Sequence, residues 1–191
     1  MTPTFEQLRV AIFDWLHQSL NSQSFDLAGV PTVLPEGDEN AVPVLRSEDD
    51  AIRPERLFVE FKLLTGLRKV GAIDELQYRA TGDKFVSKGQ REITVSINIV
   101  GEGAQECMAK IQNSLNLSYN QQLLRAAGLS VRQDEAVADT SVFQETNYEE
   151  RAVFDVIFGV AVETDDPVSR IEDVELESNL AGGQTIIVSS P

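Results

Sequence analysis

Apolar and polar positions alternate most strictly in two stretches of this chain. In Arg91–Val100, Ile93, Val95, Ile97 and Ile99 share one face, and Thr94, Ser96 and Asn98 share the other. In Arg151–Glu163, Phe154, Val156, Phe158, Val160 and Val162 recur at every second position. A period of two is the signature of a strand with one buried face, so both predict strands. Arg56–Leu67 alternates in the same way, with Leu57, Val59, Phe61 and Leu63 on one side, and predicts a third. Val131–Asp139 is a weaker strand, Tyr148–Glu163 a strong one, and Thr140–Asn147 the turn between them.

The period changes to three and four elsewhere. Phe5, Leu8, Ile12 and Leu16 line one side of a helix over Thr4–Leu20, with Phe13, Trp15 and Leu20 widening the stripe. It starts either at Thr2 with Pro3 in the first helical position or at Thr4 with Gln7 as a capping box, and ends at Asn21-Ser22. Ala104, Cys107, Met108, Ile111 and Leu115 predict a second helix after the Gly101-Glu102-Gly103 turn. Ser118 and Gln121 read as another capping box, opening a short helix through Ala127. Gly128 is placed to close it in the left-handed conformation, with Leu129 folding back as its hydrophobic contact.

What lies between is less regular. Residues 21–55 form a long segment with Pro31, Pro35, Gly37 and Pro43, in which Gly29–Leu34 and Ala41–Leu45 are candidate edge strands. Residues 68–90 separate two strands that should pair and read as a long basic hairpin or arm. Ile171–Glu177 alternates again as a last edge strand. Ser178–Pro191 carries a Gly182-Gly183 hinge and a β-prone patch, Thr185–Val188, which is either a disordered terminus or a strand donated to a neighbouring subunit. The expected fold is α+β: a mostly antiparallel sheet with an N-terminal helix and a central helix pair on one face. The expected organisation is a single domain over 1–178 and a flexible tail or arm over 179–191.

At 191 residues the chain can bury roughly 70% of its unfolded surface. It contains no run of apolar residues long enough for a transmembrane helix, and its N-terminus lacks the basic start and cleavage site of a secretory signal. The single cysteine, Cys107, excludes an internal disulfide and fits a reducing compartment. The net charge of −15 disfavours ordinary nucleic-acid binding, which requires Lys and Arg against phosphates. The charge is also uneven. Arg53–Arg91 holds nine basic and five acidic residues, a balance of +4, which leaves −19 for the remainder. Such segregation allows copies of the chain to pair head to tail.

Catalytic and cofactor chemistry finds little support. Gly101-Glu102-Gly103 sits between a strand and a helix, but it lacks a Gly-Lys-Ser/Thr sequence, and Glu102 and Glu106 would repel phosphate. One His and one Cys, without CxxC or HxxxH spacing, make no zinc site. Glu48-Asp49-Asp50 and Glu163–Asp166 lack the spacing of a calcium loop. His17 reads as a lone surface histidine, and no Gly-x-Ser-x-Gly elbow exists. No enzyme, metal or cofactor is expected.

One pattern across residues 4–177 does point somewhere. The N-terminal amphipathic helix is followed by RLFVEFKLLTGL (56–67), REITVSINIV (91–100), AQECMAKIQNSL (104–115), SYNQQLLRAAGLSV (118–131) and NYEERAVFDVIFGVAVETDD (147–166). The most characteristic pieces are QQLLRAAGLSV and YEERAVFDVIF. This organisation resembles the neck or tail terminator proteins of long, contractile-tailed bacteriophages. The resemblance implies a structural virion protein that forms a sixfold ring on the completed tail tube and sheath. Such a ring stops tail growth and presents the surface on which head-completion proteins dock, and the genome passes through its opening without specific binding. It also implies a position at the head-proximal end of the tail, with assembly in the host cytoplasm.

Ring closure needs two different patches on each subunit. The candidate interface residues are Arg68, Lys69, Arg79, Lys84 and Lys88 on the basic side and Asp165, Asp166, Glu172, Glu175 and Glu177 on the acidic side. The acidic set is equally a candidate for the lumen, where it would keep phosphates sliding. The competing expectations are another head–tail connector or head-completion ring protein, and a monomeric acidic binding module with a groove formed by 21–55 and 68–90.

Overall fold

The computed structural model describes residues 3–25, 31–36, 38–47, 53–79, 84–144, 147–166, 173–177 and 185–189. It is an α+β fold in which three helices cover one face of a mostly antiparallel, seven-stranded sheet. Helix α1 spans Phe5–Asn21, and the second of its two possible starts is the one used. Thr4 Oγ1 accepts the Gln7 amide at 3.2 Å, while the Gln7 side chain accepts the Thr4 amide at 2.8 Å. Leu8, Ile12, Trp15 and Leu16 are fully buried, whereas Phe5, expected in the buried stripe, is 43% exposed. It lies in the first turn, before the helix reaches the sheet.

Within the segment that follows, β1 (Ser22–Phe25) and β2 (Pro31–Val33) pair with each other, and β3 (Val44–Arg46) joins the main sheet parallel to β4 (Phe58–Leu63). Of the expected strand at Gly29–Leu34, Pro31–Val33 is therefore an edge to β1 and not to the main sheet, and residues 29 and 30 lie outside the described residues. Asn21 fastens this region to α1. Its amide group donates to the Val42 carbonyl at 3.1 Å and accepts the Val42 amide at 2.7 Å, as a partner strand would.

The centre of the sheet is the pair β6 (Lys84–Val100) and β11 (Arg151–Asp166), antiparallel from Val100↔Arg151 to Phe85↔Asp166 without a break. Ile97 faces Phe154, Val95 faces Val156 and Ile93 faces Phe158, all fully buried. Burial of each such side chain contributes about 1.5–3 kcal/mol. β4 pairs with the far half of β6, and β5 (Arg68–Arg79) with its near half. On the other side β11 carries β7 (Leu129–Asp134) and the two-residue β8 (Ala138–Asp139). The expected turn at 140–147 and the first residues of the expected strand at 148–163 form a short ladder of their own, β9 (Val142–Gln144) with β10 (Asn147–Glu149), and β11 begins only at Arg151.

Helices α2 (Ala104–Ser114) and α3 (Ser118–Ala126) pack beside α1. Trp15 of α1 meets Phe158 edge-on at 5.9 Å. Its indole N–H donates to Ser114 Oγ at 3.0 Å, and the Asn120 amide donates to the Ser114 carbonyl at 3.0 Å, so one buried serine joins all three helices. The second capping box is absent. Ser118 is already helical, and the Gln121 side chain donates instead to the Leu115 carbonyl at 3.2 Å. Gly128 does adopt the left-handed conformation (φ +81°), and Leu129 beyond it is buried.

The last alternating segment pairs away from the main sheet. β12 (Asp173–Glu177) forms an antiparallel two-stranded sheet with β13 (Thr185–Ser189), with Val174 opposite Val188 and Leu176 opposite Ile186. Within the expected edge strand over 171–177, Asp173–Glu177 thus pairs with Thr185–Ser189, which holds the β-prone patch of the tail, and residues 171 and 172 lie outside the described residues.

Candidate assembly surfaces

The buried cluster ends near Ile93 and Val160, but the strands do not. β6 and β11 run on for seven further pairs, from Arg91↔Val160 to Phe85↔Asp166, and β5 accompanies them. At about 3.3 Å per residue this three-stranded arm is about 20 Å long. Its pattern follows from the strand period. Phe85 lies at even spacing from Ile93 and so shares the helix-covered face. Tyr78 sits opposite Phe85, their rings 5.4 Å apart, and Leu76 sits opposite Ser87.

Ion pairs within the chain brace the arm. Arg91 donates twice to Asp74, at 2.9 and 2.6 Å, and Lys69 adds a contact at 3.5 Å. The Arg91 hydrogen bonds outweigh partial burial and hold Asp74 at about 2. Arg68 meets Glu92 at 2.9 Å. Glu163 receives Arg79 at 3.0 Å and Lys88 at 3.5 Å. Partial burial pushes the Glu163 carboxyl up, yet the two cations together bring it below the ordinary carboxylate range. Of the sequence-derived interface residues, Arg68, Lys69, Arg79 and Lys88 are therefore gathered on the arm and engaged in ion pairs of this chain. Asp165 lies on β11 opposite Val86. The side chains of Lys84, Asp166, Glu175 and Glu177, and Glu172 as a whole, lie outside the described residues.

A groove opens at the root of the arm. α1, the end of α3, Gly128 and Ala161 enclose a cavity of about 660 Å³, walled by Val10, Ala11, Leu123 and Ala127 and flanked by Glu6, Asp14 and Arg125. A second cavity of about 400 Å³ adjoins it through Arg125, Gly128 and Ala161 and reaches Arg132 and Gly159. Glu6 is held by Arg46 at 2.8 Å, while Asp14 has no ion-pair partner among the described residues.

The strand-to-helix turn is already occupied. Gly101 and Gly103 both have positive φ, and a side chain at Gly101 would lie 2.8 Å from the Leu57 backbone. The amides that could cradle a phosphate are taken by Glu150, whose carboxylate accepts Gly103 N at 2.8 Å and Gln105 N at 3.3 Å. It supplies to α2 both the missing side-chain cap and a negative charge at the positive end of the helix. No local sequence signal marks it, since the contact spans the strand pair.

His17 is half-buried and not on the surface as expected. Its ring stacks on Phe13, one turn back, at 5.8 Å, and Nε2 is buried without a hydrogen-bond partner. Cys107 is buried, and burial pushes its thiol up to about 11. Among the described residues, no group of three or more His, Cys, Asp or Glu side chains could hold a metal ion. No helix among them is long and apolar enough to cross a membrane.

An α+β domain with a braced arm, a groove at its root and charge segregated along the chain has the makings of a structural assembly protein. Comparison with known families makes this specific. The sequence profile of the phage neck terminator proteins matches residues 7–182. The chain belongs to the phage neck terminator family, and is a structural component of the phage tail neck. A search of curated proteins finds no match.

Proposed function

We propose that this protein forms a sixfold ring at the head-proximal end of a contractile phage tail. There it ends growth of the tube and sheath and presents the docking surface for the head-completion complex. The family match over residues 7–182 carries this reading. The ring needs two unlike surfaces per subunit, and the basic stretch Arg53–Arg91 and the acidic remainder of the chain differ in the sign of their charge. The genome passes through the opening without specific binding, because a ring with a net charge of −15 per subunit attracts no phosphates. Asp165, Asp166, Glu172, Glu175 and Glu177 are the acids assigned to the lumen or to the acidic half of the subunit contact. Assembly takes place in the host cytoplasm.

Electron microscopy of the purified protein, and of isolated tails labelled with an antibody against it, tests the reading. Closed sixfold rings with a central hole, and label confined to one end of the tail, are the expected result. Label along the whole tail, or on heads alone, would overturn it.

A further inference from the structure

The main sheet is open at β7. This strand pairs only with β11, so its outer edge offers backbone N–H and C=O groups to a further strand. The register slips between Ile157 and Phe158, and Arg132 is the extra residue on β7. A bulge of this kind re-aims a side chain. Here it carries Arg132 over Gly159, where a side chain would lie 2.9 Å from the Arg132 Nε. Arg125, in the last turn of α3, lines the same cavity of about 400 Å³, with Gln90, Gly128 and Ser130. Arg132 donates to Gln90 and Arg125 to Gln121, and neither meets a carboxylate among the described residues. None of the described residues lining this cavity is acidic. In a chain with a net charge of −15, two exposed guanidiniums without an acid are a site for carboxylates from elsewhere.

Another part of the chain has the opposite lack. β12 and β13 form a sheet of their own, hydrogen-bonded to no other strand among the described residues. A two-stranded hairpin is marginal in water until a third strand or a helix joins it. Its register places Asp173, Glu175 and Glu177 on one face, and Val174, Leu176, Ile186 and Val188 on the other. Residues 171–191 hold four acids and neither Lys nor Arg.

The two faces of the hairpin match the two sides of the β7 edge. Arg132 lies beside Gly159, on the side of the sheet away from Phe158 and Val160. Val131 sits opposite Phe158, on the helix-covered side, and is 38% exposed. A strand added here with its acids towards Arg132 turns its apolar positions to the side of Val131.

We propose that β12 of one copy adds to the free edge of β7 in a second copy, with Asp173, Glu175 and Glu177 facing Arg125 and Arg132. This names the subunit contact of the ring and rests on the ring reading given above. Donor strand and acceptor edge are different surfaces, so the contact is head to tail and closes around a rotation axis. Backbone hydrogen bonds supply affinity and the arginines fix register. The hairpin of the same chain has no slack to reach this edge. Asp166 stands six residues along β11 from Val160, about 20 Å, and β12 would lie two strand spacings aside, about 10 Å. The seven steps from Asp166 to Asp173 span at most about 25 Å when fully stretched.

The test uses the full chain, a cavity variant (Arg125→Glu with Arg132→Glu), a hairpin variant (Glu175→Arg with Glu177→Arg) and a chain carrying all four changes. Each of the first two should weaken self-association about tenfold or more by sedimentation. The fourfold chain should regain it. An equimolar mixture of the cavity and hairpin variants should regain it as well, because altered hairpin then meets altered cavity and the unaltered halves meet each other. Rescue in the fourfold chain but not in the mixture would put the hairpin on its own β7 and overturn the subunit contact. Unchanged association in both variants, no rescue in either arm, or an unaltered chain monomeric at every concentration also overturns it. Hydrogen exchange of the unaltered chain gives a second measurement that does not depend on the folding of any variant. Amides in Leu129–Asp134 should exchange more slowly once the chain associates, and unchanged exchange there overturns the proposal. If the contact fails while microscopy shows sixfold rings and the antibody marks one end of the tail, the neck reading stands without it.

Discussion

Single polar residues decide how the helices sit. Ser114 shows this most directly, because its hydroxyl meets the Trp15 indole and the Ser19 hydroxyl while donating to the Ile111 carbonyl at 2.6 Å. Ser114→Ala leaves the buried indole N–H of Trp15 unsatisfied and should cost about 1–3 kcal/mol. Urea unfolding followed by Trp15 fluorescence, the only tryptophan, measures this directly. The requirement for Gly101 is of another kind. Its φ of +118° and the 2.8 Å approach to the Leu57 backbone admit no side chain. The sequence identified the turn there and rejected phosphate on grounds of charge, but Glu150 as the helix cap became visible only once β11 was paired beside the turn.

At the scale of elements, the arm is the least local feature. Alternation ends visibly at Arg91, because Gly89, Lys88 and Ser87 break the apolar pattern, yet β6 continues to Lys84. Ion pairs carry those last residues of ribbon together with the buried Val86 and the Tyr78–Phe85 contact, so periodicity marks 68–90 only as a long basic hairpin or arm. Asp74 gives this bracing a pH dependence. Its carboxyl lies below the ordinary value, so its contribution is complete above about 4 and is lost as the pH falls through about 2. A carboxyl titration by NMR should place the Asp74 midpoint near 2. Asp74→Asn should speed amide exchange in β5 at neutral pH and remove the loss on acidification. Exchange unchanged by the substitution would show that the Arg91 pair does not brace the arm.

For the whole molecule, the charges of the arm do two jobs that can be separated. Arg79 and Lys88 first neutralise Glu163 of their own chain. Only what remains of their field is offered to a neighbour, and at physiological ionic strength it is screened beyond about 8 Å. Reversal of both, Arg79→Glu with Lys88→Glu, should therefore weaken self-association, with the defect largest at low salt. Sedimentation at 50 and 500 mM salt checks it. Indifference to both reversal and salt would confine these cations to bracing the arm.

The amino-acid sequence by itself determined the class of fold, the face that each central strand and helix buries, and the family resemblance. These depend on period, and period is local: a residue two or four positions away already says which side is dry. It also located the left-handed Gly128, because a helix end announces itself in the next few residues. Tertiary structure alone decided which strands meet. It put β13 against β12, made Glu150 a cap for α2, and enclosed a groove between α1 and α3. Each of these joins residues that are distant along the chain, and their spacing carries no record of a contact made across a sheet.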